Sequence, residues 1–599
     1  MEKLKFLPAR AHLTRRDDGT MILRSPEPLA PYARCVGEYL ERWAERSPHS
    51  IFLAQRDGDG WRTLTYAETR RRVRAIASSL LRRDLTAEGP VAILSDNSIE
   101  HALLTLAAMH VGIPVAPVSP AYSLMSQEFA KLRAIFELIQ PTMVFADDGA
   151  RFAAALSALP KNSFEIVTSR NGNALPCASS SFDSLIDGED SPAVDRAFTK
   201  VMPDTVAKLL MTSGSTGHPK AVINTQRMLC SNQQAFRQMW RFLQDEPPVL
   251  VEWLPWNHTF GGNNNFNAVL ANGGSFYIDE GKPAPNLIET TVRNLREISP
   301  TLYFNVPRGY DLLIPYLESD ETLRKTFFAR QNLIMYAAAA LPKNLWERLY
   351  RIAFDANGNR IPLVSGWGST ETAPGATMVH FESIRPSVIG LPHPGTDLKM
   401  IPVPSEDGKY ELRVRGPNVT PGYLKRPDLT ASAFDEEGFY KIGDAGRLAD
   451  PDDPAKGIEF AGRLAEDFKL TSGTWVHVGA LRVKAIEALQ PVAQDIVIAG
   501  HDRDAVAFLI FPGVGARDGL DDPGIRDNVR RGLERLREMY GGASASCAAR
   551  AILLQEPPSI DAGEITDKGY INQRAVLERR AAVVEELYAE PPSSRVICL

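Results

Sequence analysis

From Gly89 onward the chain alternates short apolar runs with amphipathic stretches, and few architectures accommodate that order. Val91 to Leu94 is apolar, IEHALLTLAAMHVG follows with helical periodicity, and Ile113 to Val118 is apolar again. A strand, a crossing helix and a second strand bury their faces together when the strands run parallel and the helix packs across them. Thr142 to Ala146 adds a further short strand and RFAAALSAL a further helix, so the first third predicts an α/β body. Ser169 to Asp190, rich in Ser, Asn and Gly, predicts a surface excursion.

A chain of 599 residues exceeds one ordinary hydrophobic core, which predicts a large composite body plus a smaller domain. Leu398 to Gly422 carries short alternating strands with Pro and Gly turns, predicting a small β subdomain. After Gly462 the texture changes: DIVIAG, AVAFLIF and ARAILL predict strands, GIRDNVRRGLERLREMY a charged amphipathic helix, GGASAS a loop, and a last helix follows Gly569. The expected fold is therefore α/β overall. Residues 1–462 form a large domain with a small β subdomain, 463–467 a hinge, and 468–599 a smaller α+β domain.

Net charge of -6 gives no global reason to expect nucleic acid or an anionic membrane. The N-terminus MEKLKFLPARAHLTRRDD is interrupted by charges and Pro8 before any signal-like apolar run, and no later stretch approaches the ~20 apolar residues of a spanning helix. The five cysteines are scattered without metal-ligand spacing, which suits a reducing compartment, and Cys598 stands in the wrong place for prenylation. The expectation is a cytoplasmic protein, monomer or homodimer, without nucleic-acid or membrane partners.

The segment Thr212-Ser213-Gly214-Ser215-Thr216-Gly217-His218-Pro219-Lys220 follows the apolar run VAKLLM and precedes AVINT. Glycines let successive N–H groups turn inward, hydroxyls add donors and Lys220 adds a point charge, a combination that wraps phosphates. It is not the common G-x-x-x-x-G-K-[ST] loop.

TSGSTGHPK resembles the phosphate loop of the acyl-adenylate-forming superfamily, which includes acyl-CoA synthetases, peptide-synthetase adenylation domains and firefly luciferase. Further resembling segments recur in the family's order: Trp256 to Gly262 (WNHTFGG), Gly366 to Glu371 (GWGSTE), Tyr440 to Asp444 (YKIGD), Gly462-Arg463 and Ile565 to Lys568 (ITDK). The resemblance implies ATP, magnesium and coenzyme A as cofactors and a carboxylic acid as substrate. It implies that Thr212, Ser213, Gly214, Ser215, Thr216, Gly217 and Lys220 hold phosphates, with Thr370 on the α-phosphate and Glu371 and Thr216 on the magnesium side. Trp367 and Gly368 would lie beside the adenine, with Trp367 where most relatives have Tyr. Asp444 would accept the ribose hydroxyls, an apt use of an acceptor-only carboxylate, and Arg463 would make the second ribose contact. Lys568 would bridge the attacking carboxylate and the α-phosphate, stabilising charge as it develops. His258 would gate the acyl pocket and thiol channel, with Gly261 and Gly262 permitting close approach of backbone to ligand. Phe260, Gly262, Val306, Ala338, Ala339 and Gly366 would border the acid.

EDFKLTSGTWV and EITDKGYINQRAVL resemble the feruloyl-CoA synthetase branch, which implies a hydroxycinnamate substrate. The run Tyr336 to Leu341, with its consecutive alanines, leaves room for a flat ring. The family's hinge position falls on Ala465, with Glu466 and Asp467 just beyond, so the hinge residue stays open. The resemblance also implies a small domain that turns, withdrawing Lys568 and presenting Gly473 and Trp475 to the pantetheine. No carrier domain is readable after Lys568, so free coenzyme A is the expected acceptor. Another aromatic or fatty acid, a luciferase-like oxygenase and a non-catalytic adenylate binder stay as alternatives.

Overall fold

The computed structural model describes residues 5–599 apart from 84, 161–162, 189, 214–218, 340, 359, 384, 404–407, 518 and 567–568. The predicted strand–helix–strand unit forms a seven-stranded sheet. Its order is Pro219–Thr225, Val206–Ser213, Val115–Pro117, Val91–Leu94, Met143–Asp148, Glu165–Arg170 and Ser180–Ser181. All neighbours in it are parallel except the first pair, an antiparallel hairpin. Helix Ile99–His110 crosses between two of these strands, and Ser98 caps it by accepting a hydrogen bond from the His101 N–H. Nearly every residue of this helix is buried, which accounts for the absence of a polar stripe in its sequence.

An eleven-stranded sheet runs from the hairpin His12–Arg15/Met21–Arg24 through Asp397–Pro402, Tyr410–Arg415, Tyr440–Leu448 and Ile458–Arg463. It continues through Val388–Pro392, Gly375–Met378, Leu363–Gly368 and Leu333–Tyr336 to Leu302–Asn305. The strands expected as a small β subdomain are thus hydrogen-bonded into a sheet whose far end is parallel, because Val388–Pro392 pairs on both sides. The Ser169 to Asp190 excursion is partly structured. It adds Ser180–Ser181 at a sheet edge and buries Leu185. Val249–Glu252, Ser275–Ile278, Ile51–Asp57 and Gly60–Thr65 make another sheet.

Beyond Arg463 lie a two-stranded ribbon, Phe468–Lys469 with Trp475–Val476, and a sheet ordered Ala493–Ala499, Ala507–Pro512, Arg550–Leu553, Ile597–Cys598. Helices Val478–Ala488 and Pro523–Tyr540 cover one face with a core of their own, containing Ile496, Phe508, Val529 and Leu533. The helix expected after Gly569 is two, Gln573–Arg579 and Ala581–Tyr588. They part at Arg580, whose buried guanidinium turns inward onto Glu564. All five cysteines are free thiols, and no helix among the described residues is long and apolar enough to cross a membrane.

Candidate functional site

The hairpin Val206–Ser213/Pro219–Thr225 sets Thr212 opposite Lys220 and Ser213 opposite Pro219, so the phosphate-loop motif sits at its turn. Gly214, Ser215, Thr216, Gly217 and His218 lie outside the described residues. Lys220 Nζ stands 5.1 Å from the centroid of the Tyr423 ring, a cation–π distance.

Beside it, strand Leu363–Gly368 ends in the turn Thr370–Thr372, and Ser369 Oγ accepts the Glu371 N–H at 3.2 Å. Gly368 has φ +157°, and a Cβ there would lie 1.8 Å from the Pro374 carbonyl oxygen, so only glycine makes this corner. The buried Glu371 accepts the Tyr423 hydroxyl on Oε1 at 2.9 Å, and the Tyr440 hydroxyl lies 3.5 Å from that of Tyr423. Burial first, then the charge of Glu371, pushes both phenols up, so they keep their protons and remain donors. The hard carboxylate oxygens of Glu371 suit magnesium, which takes one or two carboxylates and completes its shell with phosphates and water. Tyr423 fixes the carboxylate through Oε1.

Asp444, on strand Tyr440–Leu448, accepts the Trp367 indole N–H on Oδ2 at 2.8 Å, while Arg463 Nε lies 3.6 Å from Oδ1. Burial holds the Asp444 carboxyl above the usual carboxylate range, against the lowering effects of Arg463 and Trp367. Trp367 is buried in the cluster of Met21, Leu391 and Ile458. Its indole edge grips the Asp444 carboxylate.

His258 caps the π-helix Thr259–Asn265, its Nδ1 accepting the Phe260 N–H at 3.3 Å. Gly261 and Gly262 do approach backbone closely, but it is the chain's own: added Cβ atoms would lie 2.4 Å from the Leu254 and 2.2 Å from the Trp256 carbonyl oxygens. These close approaches pack the helix on its preceding loop. Phe260 is buried with its ring 6.4 Å from that of Phe304, and Gly366 lies within the sheet near Met335. Val306 precedes helix Pro307–Ser319, while Ala338 and Ala339 are exposed after strand Leu333–Tyr336. Ala338 has φ +72°, a left-handed conformation that costs a non-glycine residue about 1–2 kcal/mol.

Gly473, at φ +80°, turns the ribbon that carries Trp475, and Lys469 Nζ lies 4.9 Å from the Trp475 ring centroid. Among the described residues no hydrogen bond or ion pair joins this ribbon to the Glu371 cluster. At the expected hinge, Ala465 and Glu466 precede Asp467, whose carboxylate meets Lys409 at 3.1 Å and His477 at 2.8 Å. Lys568 also lies outside the described residues. On either side of it, Thr566 N–H bonds the Tyr570 carbonyl at 2.8 Å and Ile565 pairs with Ile571.

Tyr423 and Tyr440 escaped sequence reasoning as functional side chains. Tyr440 begins the YKIGD segment, yet VTPGYLKRP around Tyr423 reads only as a turn, because its pairing with Val222 is long-range. A buried relay was also missed: Asn263 Nδ2 donates to Asn224 Oδ1 at 2.6 Å and to Thr259 Oγ1 at 3.1 Å, and Asn224 Nδ2 reaches the Thr370 carbonyl at 3.4 Å. It joins the His258 helix to the Glu371 turn. Lys208, wholly buried behind them, donates to the Gly262 carbonyl at 2.9 Å, and burial pushes its ammonium down to about 7.

Residues 40–424 match the family described as AMP-binding enzyme. A carboxylic acid reductase of Mycobacterium tuberculosis is 25% identical over 579 residues, 89% of this chain, and the chain spans 47% of that reductase's length. A 3-[(3aS,4S,7aS)-7a-methyl-1,5-dioxo-octahydro-1H-inden-4-yl]propanoyl:CoA ligase of Rhodococcus jostii is 25% identical over 457 residues, 74% of this chain and 82% of that protein. In fold, the chain is similar to the adenylation domain of a carboxylic acid reductase from Segniliparus rugosus in complex with AMP and a co-purified carboxylic acid. There the TM-score is 0.73 at 20% identity, covering 93% of this chain and 94% of that one.

Proposed function

This chain belongs to the AMP-binding enzyme family, and from that premise we propose that it joins a carboxylic acid to AMP from ATP and passes the acyl group to the thiol of coenzyme A. One observation carries the reading: Lys220, Tyr423, Glu371 and Tyr440 converge at the phosphate hairpin, with Asp444 and Trp367 hydrogen-bonded to each other from non-adjacent strands of one sheet. Lys220 neutralises phosphate charge, Asp444 accepts ribose hydroxyls, and Glu371, held by Tyr423, presents its carboxylate to magnesium. When bound, the metal would offset charge on the polyphosphate. Lys568 draws the acid's carboxylate and the α-phosphate together, and pyrophosphate leaves. The mixed anhydride so formed is attacked by a thiol with AMP as the leaving group, a step that needs positioning more than proton transfer. Residues 1–462 hold nucleotide and acid, and 468–599 turn about 463–467 between the two steps.

The acid we propose is a hydroxycinnamate such as ferulate, supported by the EDFKLTSGTWV resemblance and by the small Ala337, Ala338 and Ala339 beside the strand end. The similarity to carboxylic acid reductases, of which this chain spans about half, favours a second reading in which the accepting thiol is tethered to a carrier. The test is ATP-dependent thioester formation over a panel of cinnamic, benzoic and fatty acids, with free coenzyme A and with a phosphopantetheinylated carrier. Hydroxycinnamoyl-CoA supports the proposal. Acid-dependent pyrophosphate release with neither thioester would overturn the transfer step, and no release with any acid would overturn adenylation.

A further inference from the structure

The loop 556–566, which precedes Lys568 in the sequence, is braced twice, once within its own domain and once against the large body. The inner brace is Glu564, fully buried, which takes Arg580 Nε and Arg579 Nη1 each at 2.6 Å and the Ser559 N–H at 2.9 Å. A carboxylate so enclosed fixes the shape of the loop and leaves its placement to other contacts. The outer brace supplies the placement. Asp561 Oδ1 receives the Ser126 hydroxyl at 2.5 Å, Asp561 Oδ2 the Gln127 N–H at 3.1 Å, and the Ile560 carbonyl receives Lys131 Nζ at 2.7 Å. Ile560 and Ile565 pack against the cluster that includes Leu132, Phe136 and Ala221, and Ala221 belongs to the phosphate hairpin itself.

The receiving surface is built rather than incidental. Ser126 Oγ also accepts the Phe129 N–H at 2.9 Å, and Phe129 takes φ +53° to start helix Ala130–Ile139. A left-handed phenylalanine persists only where its surroundings impose it. The result is a stiff corner offering a hydroxyl, an N–H and an ammonium to one short stretch of the lysine loop.

We propose that Ser126, Gln127 and Lys131 form a seat for the lysine loop and that Asp561 is its positioning residue, engaged during adenylation and released for thiol transfer. The inference rests on the two-step reading above. It separates the steps: loosening the seat slows adenylation and leaves transfer intact, whereas a purely structural residue would impair both.

The test uses the full chain with Asp561→Ala, Asp561→Asn and Ser126→Ala. Pyrophosphate release in a single turnover with ATP and ferulate should fall tenfold or more in Asp561→Ala. Thioester yield from supplied feruloyl adenylate and coenzyme A should stay within twofold of the parent or rise. Ser126→Ala in the Asp561→Ala background should add less than twofold, since both remove one contact. Deuterium exchange across 556–566 should rise in Asp561→Ala even without turnover, which tests the seat whatever reaction the enzyme performs. Unchanged exchange, or equal loss in both half-reactions in Asp561→Ala and in the near-isosteric Asp561→Asn, overturns the proposal. A parent enzyme that makes no adenylate while exchange responds as expected would refute the reaction and the seat's catalytic role but leave the contact standing.

Discussion

Replacing Trp367 with Phe keeps an aromatic ring in the cluster but removes the donor that holds Asp444. In the structure that indole N–H is 2.8 Å from Oδ2, while the cationic neighbour, Arg463, stands 3.6 Å from Oδ1 with its side chain 68% exposed. Solvent screens the second contact, so the N–H does most of the holding. A hydrogen bond to a charged group contributes about 1.5–3 kcal/mol, or about tenfold to about a hundredfold in binding. If Asp444 receives the ribose, KM for ATP should rise within that range in Trp367→Phe, with kcat and the acid's KM changed no more than about twofold. The lost donor also favoured the ionised carboxylate, so the acid limb of kcat/KM for ATP should move to higher pH. The smaller ring leaves a void, and the melting temperature is measured beside the kinetics to account for it. A folded variant with parental KM for ATP and an unshifted acid limb would refute the role given to Asp444 and its grip.

Other outcomes are as specific. Lys568→Ala should lower adenylation about 100- to 1000-fold while sparing thioester formation from supplied adenylate; equal loss in both assays sinks its role. Gly473→Trp, at φ +80° on an open turn, should do the reverse, and parental thioester yield would count against the ribbon meeting pantetheine. Lys208 has an ordinary value of 10.5 and a folded one near 7, so the unfolded chain binds more protons between those values and stability rises with pH there. The full penalty of the buried ammonium applies below 7. Lys208→Met should therefore flatten the denaturation midpoint against pH from 7 to 10, and an unaltered slope would show that Lys208 does not carry the titration.

The parallel core was legible because Val91–Leu94 is wholly apolar and Met143–Asp148 opens on four apolar residues, with helices between them, a local pattern. The eleven-stranded sheet was not, since Leu302–Asn305 and His12–Arg15 lie far apart in sequence and share it only through strands of both pairing senses. The same divide holds at the site. Glu371 and Asp444 sit in compact motifs, but the groups that orient them come from elsewhere: Tyr423 from a plain Pro-Gly turn, and Trp367 through an edge contact that no spacing encodes. Two-residue strands such as Ile597–Cys598 fall below any periodicity.

The run from Thr259 through Asn263 and Asn224 to Thr370 has a thermodynamic consequence for how substrates meet the protein. Asn263 donates to both Thr259 and Asn224, and Asn224 accepts that bond while donating to Thr370, so a shift at one end reorients the next member. If acid binds beside the His258 helix and nucleotide beside the Thr370 turn, as proposed, the two draw on one shared set of orientations. Their coupling must be mutual: the factor by which ATP tightens the acid is the factor by which that acid tightens ATP. Selectivity among acids would accordingly be written into the nucleotide's affinity, where a simple binding titration of ATP in the presence of each acid can read it.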